Sequence, residues 1–239
     1  RAEFYADPYS DMPGALAING PGIIASKAFQ HGHLTLQDYA SMLPAHALGA
    51  EPGERILDAC AAPGTKSTQL AEMAAASIFA TDLNPYRIHK VAENAERLGL
   101  SNLRIATADL NHSIFPPNTF DRVLLDAPCS GLGTLRRHPE IKWRMRPRTI
   151  RRLGEQQRDL LRSAVALCKN GGVIVYAVCT FTPEETEQVI EPFIQEGVVV
   201  PEDGPEWLNK WRIKLGTYRT LPGNDRLDGF FLTRLRKRS

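Results

Sequence analysis

"RILDACAAPGTK", residues 55–66, decides the fold. A short apolar run ends on an acid, Asp58, and a small-residue turn with Pro63 and Gly64 leads into a helical segment from about Lys66. That is the order strand, turn, helix. Downstream the rhythm repeats. "SIFATD" (77–82) reads as a strand, and Ile88, Val91, Ala95 and Leu98 share one face of a following helix. "LRIATAD" (103–109) and "DRVLLDA" (121–127) are further short apolar runs. "IRRLGEQQRDLLRSAVALC" (150–168) reads as a long amphipathic helix, with Cys168 on its apolar face, and "GGVIVYAVC" (171–179) as a glycine-bounded buried strand. "PEETEQVIEPFIQE" (183–196) opens with Pro183 and acids in its first turn, as a helix start does, and "GFFLTRLR" (229–236) is the last clear strand. Alternating strands and helices predict an α/β fold, a parallel sheet covered on both faces.

Upstream, residues 1–52 are rich in Gly and Pro, and "LQDYASMLPAHAL" (36–48) is their one helical stretch. They read as a lead-in segment with a short helix packing on the core, ahead of the main domain at 53–239. The chain of 239 residues, 43% hydrophobic and 23% charged, is long enough for a substantial core. No run has the length or apolarity of a spanning helix, and no signal peptide opens the chain, so the expectation is a cytoplasmic protein. The first residue, Arg1, suggests a fragment of something longer. Cysteines at 60, 129, 168 and 179 lack CxxC spacing and the histidines form no ligand ladder, so neither a metal site nor disulfides are expected. The net charge is only +2, but eight of the residues from Arg136 to Arg152 are Lys or Arg against one acid, Glu140. Clustered cations point to a polyanionic partner.

In an open parallel sheet, ligands bind beyond the carboxyl ends of the strands. Here those ends carry "DACAAPGTK", Asp82, Asp109, "DAPC" (126–129) and "VCTF" (178–181). One such acid is an ordinary turn residue, but five successive polar strand ends make a site. The first loop is neither GxGxxG nor a P-loop, because Ala59 stands where a P-loop needs glycine and Thr65 precedes Lys66. Gly64 lets the backbone approach either a ligand or the next helix closely. Asp82 lies at the distance at which an acid accepts hydrogen bonds from ribose hydroxyls, and Asp109 is placed for an adenine amino group. Without a pyrophosphate fingerprint, an adenosine carrying a sulfonium fits better than a dinucleotide. Cys60 is either packing or cavity wall. Cys129 and Cys179, at two strand ends beside carboxylates and cations, are candidates for thiolate chemistry.

"LDACAAPGTK", "DAPCSGLGTLRRHPEIKW", "VCTFTPEETE" and "DGFFLTRL" together resemble the RNA 5-methylcytosine methyltransferases, most closely the bacterial 16S ribosomal RNA enzymes of the RsmB or Sun type, over roughly residues 25–238. The resemblance implies a Rossmann-like class I S-adenosylmethionine-dependent fold with a mostly parallel seven-stranded sheet. It also implies Cys179 as nucleophile, Cys129 assisting product release, Asp126 touching both cofactor and base, and Lys66 favouring the Cys179 thiolate. The cofactor site implied is Cys60, Ala61, Ala62, Pro63, Gly64, Thr65, Lys66, Asp82, Asp109 and Asp126. Two positions depart from the family pattern: Thr65 replaces a frequent glycine, and Val178 a frequent threonine. Arg136, Arg137, Lys142, Trp143 and Arg144 are candidate RNA contacts, the cations for phosphate and the indole for a stacked base. The partner expected is RNA, ribosomal first, bound by a monomer; transfer RNA is the alternative substrate. A nucleotide hydrolase is disfavoured by the missing P-loop, and a noncatalytic RNA-binding module by the presence of both cysteines and every strand-end acid.

Overall fold

The computed structural model describes residues 5–8, 12, 14–19, 22–223 and 227–239. A hairpin pairs β1 (Tyr5–Pro8) with β2 (Leu16–Asn19), and α1 (Lys27–Gln30) leads to α2 (Tyr39–Leu48). The alternation then runs β3 (Arg55–Asp58), α3 (Thr65–Met73), β4 (Ser77–Asp82), α4 (Pro85–Arg97), β5 (Leu103–Thr107) and β6 (Phe120–Asp126). It continues through α5 (Ile141–Arg144), α6 (Pro147–Leu167), β7 (Cys168–Val178) and α7 (Glu187–Gln195). The short strands β8 (Val199–Pro201), β9 (Arg212–Lys214) and β10 (Thr217–Thr220) precede β11 (Phe230–Lys237).

The main sheet has nine strands, in the order β5-β4-β3-β6-β7-β11-β10-β9 with β8 beside β11. The first five are parallel, and β11, β10, β9 and β8 join antiparallel. Seven strands were expected; the two beyond that number are β8 and β9, each of three residues and too short to carry a periodic signal. Chain order reverses between β3 and β6. Strand-to-strand progress moves outward from β3 to β5, then restarts on the other side of β3 with β6, which opens a crevice at their carboxyl ends.

Both faces of the sheet are apolar, so each central strand alternates between two cores. Ile56, Leu124 and Val175 face α2 and α3, while Leu57, Val123, Leu125, Ile174 and Tyr176 face α6 and α7. Each fully buried aliphatic or aromatic side chain contributes about 1.5–3 kcal/mol relative to exposure. Helix α2 lies against β6, β7 and β11, with Tyr39, Leu43 and Leu48 in the core. Asp38 caps its first turn, accepting from the Ala40 N–H, and two guanidinia meet its carbonyl end: Arg122 donates to Leu48 O, Arg234 to Ala47 O and Leu48 O. Cations there satisfy orphan carbonyls and oppose the helix dipole. Asn84 starts α4 by accepting from the Tyr86 and Arg87 amides, with Pro85 at the first position.

Two local readings change. Cys168 is not on a helix face: α6 ends at Leu167, the backbone turns extended, and Cys168 begins β7 opposite Phe120. The pairing then slips so that Val173 faces Arg122, which absorbs Lys169–Gly172 as an irregularity. An unbroken apolar pattern hid that corner. At Pro183 the chain makes a 3-10 turn (Pro183–Glu185), and the helix proper starts at Glu187, because Thr186 (φ −119°, ψ −102°) leaves helical geometry. The buried Glu185 side chain accepts from its own turn at Thr182 and from other parts of the chain at the Ser130 amide and Gln157.

Candidate active site

The carboxyl ends of β3, β4, β6 and β7 surround a cavity of about 730 Å³ at the crevice. On one side stand Asp82, at the end of β4, and Asp109, which follows β5 by two residues and starts a 3-10 turn. On the other stand Asp126, Cys129 and Cys179. Leu83, Tyr86, Leu110 and Leu160 give apolar wall between them. Carboxylates on an apolar slot suit a ligand with a flat ring and hydroxyls.

The loop after β3 builds one wall. Cys60 and Ala62 line the cavity. Ala61 donates its amide to Thr81 O and Ala62 to Asp82 Oδ2 at 3.2 Å, while Asp82 Oδ1 accepts from the Asn84 amide at 2.9 Å. The peptide between Ala62 and Pro63 is cis. Gly64 has φ +106°, and a Cβ there would stand 2.9 Å from Val91 Cα of α4. Of the two reasons for a glycine, close helix approach is the one realised. Thr65 is the first residue of α3, and Lys66 faces inward.

Lys66 Nζ lies 2.7 Å from Asp126 Oδ2 and 2.7 Å from Ser41 Oγ of α2. Burial alone would lower the ammonium's pKa, but the Asp126 charge and hydrogen bond, with Asp58 and Cys179 behind them, hold it above its ordinary value. Asp58, absent from the predicted set, is fully buried beneath this pair. Ser67 Oγ donates to its Oδ2 at 2.6 Å, while Oδ1 has no hydrogen-bond partner among the described residues. Burial, opposed by the Ser67 bond and helped by Asp126, pushes its pKa up to about 7. The strand position of Asp58 was legible; that its second oxygen is orphaned was not.

The two loop cysteines meet. Cys129 and Cys179 Sγ are 3.3 Å apart, from loops following neighbouring strands β6 and β7. The hydrogen bond from the Cys129 thiol holds Cys179 below the usual cysteine value against the effect of burial, and the Lys66 charge adds to this. That same bond, with burial and nearby negative charge, pushes Cys129 well above it. One sulfur is a thiolate candidate and the other its proton-bearing neighbour. The remaining cysteines are different. Burial raises Cys60, and Cys168 is pushed up to about 12, also by burial. All four are free thiols.

The family model of 16S rRNA methyltransferase RsmB/F matches residues 45–236. The chain belongs to this family. A "Probable ribosomal RNA small subunit methyltransferase B" from Synechocystis sp. is 38% identical over 236 residues, covering 95% of this chain and 53% of the relative. One of the same description from Bacillus subtilis is 38% identical over 226 residues, 90% of this chain and 50% of the relative. The chain therefore spans about half the length of the curated relatives it matches. Among solved structures, NSun6 from Pyrococcus horikoshii, crystallised with SFG, superimposes with a TM-score of 0.83 at 29% identity, over 94% of this chain and 60% of that one. The α/β sheet is that of class I methyltransferases.

Against this family background, the basic stretch divides in two. Arg137 Nε donates to Asp228 Oδ2 at 2.8 Å and its Nη2 donates to the same oxygen, while Arg136 lies 3.5 Å from Oδ1. Asp228 is 1% exposed, so these arginines neutralise a buried carboxylate. Lys142, Trp143 and Arg144, on α5, are exposed, and no ion pair engages the two cations among the described residues. Lys142 Nζ rests 5.3 Å from the Trp143 ring centre. Sequence reasoning also missed a backbone tie: Gly133 N donates to Cys179 O at 2.9 Å and Gly229 N to Gly133 O at 2.8 Å. A Cβ on Gly133 would fall 1.8 Å from Gly229 O. The glycine in "SGLG" was its only trace. Among the described residues no helix is long and apolar enough to cross a membrane, and no group of His, Cys, Asp or Glu is arranged to hold a metal.

Proposed function

We propose that this chain transfers a methyl group from S-adenosylmethionine to carbon 5 of a cytidine in RNA, small-subunit ribosomal RNA first, through a covalent cysteine adduct. The observation that carries the reading is the 3.3 Å approach of Cys129 to Cys179 at the mouth of a cavity walled by Asp82, Asp109 and Asp126. The family and the names of its relatives support the RNA substrate. The binding of SFG, an analogue of S-adenosylmethionine, by the Pyrococcus protein supports the cofactor.

The residues present fit that cofactor. Asp82 offers acceptors to ribose hydroxyls, Asp109 is held ionised by His112 and the Asn111 amide for an amino group, and Cys60 and Ala62 of the loop after β3 line the wall beside them. When bound, S-adenosylmethionine supplies an electrophilic methyl group. Carbon 5 of cytosine is too weak a nucleophile to accept it unaided. Cys179 thiolate adds to carbon 6, and the carbon 5–carbon 6 π electrons shift to make carbon 5 enamine-like. Asp126 holds the ring nitrogen or amino group of the base. Lys66 keeps Asp126 in place and stabilises negative charge on Cys179. After methylation, loss of the carbon 5 proton to a base and cleavage of the carbon 6–sulfur bond return the thiolate, with Cys129 assisting release. The base must leave its stack to reach the sulfur, which costs a few kcal/mol and least in looped or single-stranded RNA.

Labelled S-adenosylmethionine, candidate small-subunit and transfer RNAs and three proteins test this. Wild type is expected to label carbon 5 of cytidine, Cys179→Ala to be inactive without adduct, and Cys129→Ala to accumulate a protein–RNA adduct. Full activity of Cys179→Ala rejects the assignment.

A further inference from the structure

Neither the reaction nor the cavity accounts for Glu185. Its side chain is completely buried in the turn between β7 and α7, and donors from separate parts of the chain converge on it. Oε1 accepts from the Ser130 amide at 2.7 Å and from Gln157 Nε2 of α6 at 3.1 Å. Oε2 accepts from Thr182 Oγ1 at 2.9 Å and, at 3.4 Å, from Thr180 Oγ1. Ser130 follows Cys129 and Thr180 follows Cys179, and the two hydroxyls are themselves 2.9 Å apart. The same glutamate thus holds the next residue of both cysteine loops.

The rest of the frame is equally specific. Gln157 Nε2 also donates to Pro128 O at 2.9 Å, just before Cys129. Tyr176 of β7 donates to Glu185 O at 2.6 Å. Gly154 of α6 leaves room for the turn: a Cβ there would lie 2.2 Å from Glu184 O. Buried polar networks with every member satisfied rigidify what they join.

We infer that Glu185 is a positioning residue, whose carboxylate locks the Cys129 and Cys179 loops together and so sets the distance between the two sulfurs. Its kinetic consequence rests on the covalent chemistry proposed above; its geometric consequence does not. Misplacing reacting atoms by about 1 Å costs on the order of a hundredfold in rate.

Two readouts separate these consequences. Diamide takes two electrons and two protons from a thiol pair, leaving a disulfide and the reduced hydrazine, so the rate of Cys129–Cys179 linkage, mapped by mass spectrometry, reports sulfur alignment without RNA. Methyl transfer reports chemistry. In Glu185→Ala, linkage is expected to slow and kcat to fall about tenfold to a hundredfold, with KM for S-adenosylmethionine unchanged. Glu185→Gln, which keeps one acceptor oxygen, is expected to recover part of both. Thr182→Val, which removes one donor to Glu185 and keeps the Ser130 and Gln157 donors, gives a smaller slowing and serves if Glu185→Ala does not fold. Wild-type linkage rates in the folded variants overturn the inference even if methylation proceeds. Slowed linkage in a protein whose wild type methylates no RNA upholds the inference and rejects the cytosine chemistry.

Discussion

Arg137 and Lys142 lie in one basic run, yet the structure gives them opposite surroundings. Arg137 reaches back to a carboxylate that is 1% exposed, while Lys142 sits on a short helix beside an indole that is 76% exposed. A cation on a buried acid is part of the fold; a cation in water is available to a polyanion. Charge density along a sequence counts both alike, and only the partner tells them apart.

Removing Arg137 is the strongest way to break the comparison. Among the described residues, Arg137→Ala leaves buried Asp228 with Arg136 at 3.5 Å as its one remaining cation. The expected loss is about 3 kcal/mol, toward the low end for a severed buried pair because the guanidinium is half-exposed. Denaturant unfolding measures it. RNA affinity of the fraction still folded should keep its salt dependence; a lower slope would return Arg137 to the phosphate-binding set.

A second contrast sharpens the first. Among the described residues, Asp228 has two arginines, whereas Asp58, equally buried, has one hydroxyl and a carboxylate oxygen with no hydrogen-bond partner. Its native pKa is raised by burial from 3.8 to about 7, so between those values the unfolded chain has released a proton that the native state retains. Unfolding then gains with rising pH: this contribution to stability is full below about pH 4 and lost as pH climbs to about 7. Asp58→Asn removes the titration. Stability measured from pH 5 to pH 7 should fall by about 2 kcal/mol more in wild type than in Asp58→Asn. Parallel curves would show that Asp58 is charged in the native protein.

What the sequence shows and hides follows the same division. Strand-end acids and the two loop cysteines were legible because an apolar run stops at each, and β3, β4, β6 and β11 announce themselves by composition. Two-residue periodicity reports which side chains are buried locally. It carries nothing about polar pairs closed by the fold, such as Arg137 with Asp228, 91 positions on, or the Ser130 amide with Glu185, 55 positions on. Glu185 looked like a first-turn acid of a helix, but it lies buried in a separate turn ahead of that helix. Gly133 and Gly154 likewise exist for backbone contacts that no local pattern encodes.

On the exposed side of the comparison the effects concern binding. Trp143→Ala is expected to weaken RNA binding by about 1–2 kcal/mol, as loss of a stacking platform does, with thermal stability unchanged because the ring contributes little to any core. Equal affinity in a filter-binding assay would leave Trp143 outside the RNA path.

The smallest effect is the most diagnostic. Lys142→Ala removes one exposed cation that neither pairs with a carboxylate among the described residues nor supports a neighbouring element. Folding stability should therefore stay within about 0.5 kcal/mol of wild type. If Lys142 meets a phosphate, neutralising it releases one fewer counterion, and the slope of log affinity against log salt should become shallower by about 0.7–0.9. A titration series between low and moderate salt reads that slope directly. The same measurement on Arg137→Ala supplies the control, since its guanidinium is already committed to Asp228. A slope that changes for Lys142 and not for Arg137 divides the basic run at the point where the structure divides it; a change in both would mean that RNA draws Arg137 away from its carboxylate.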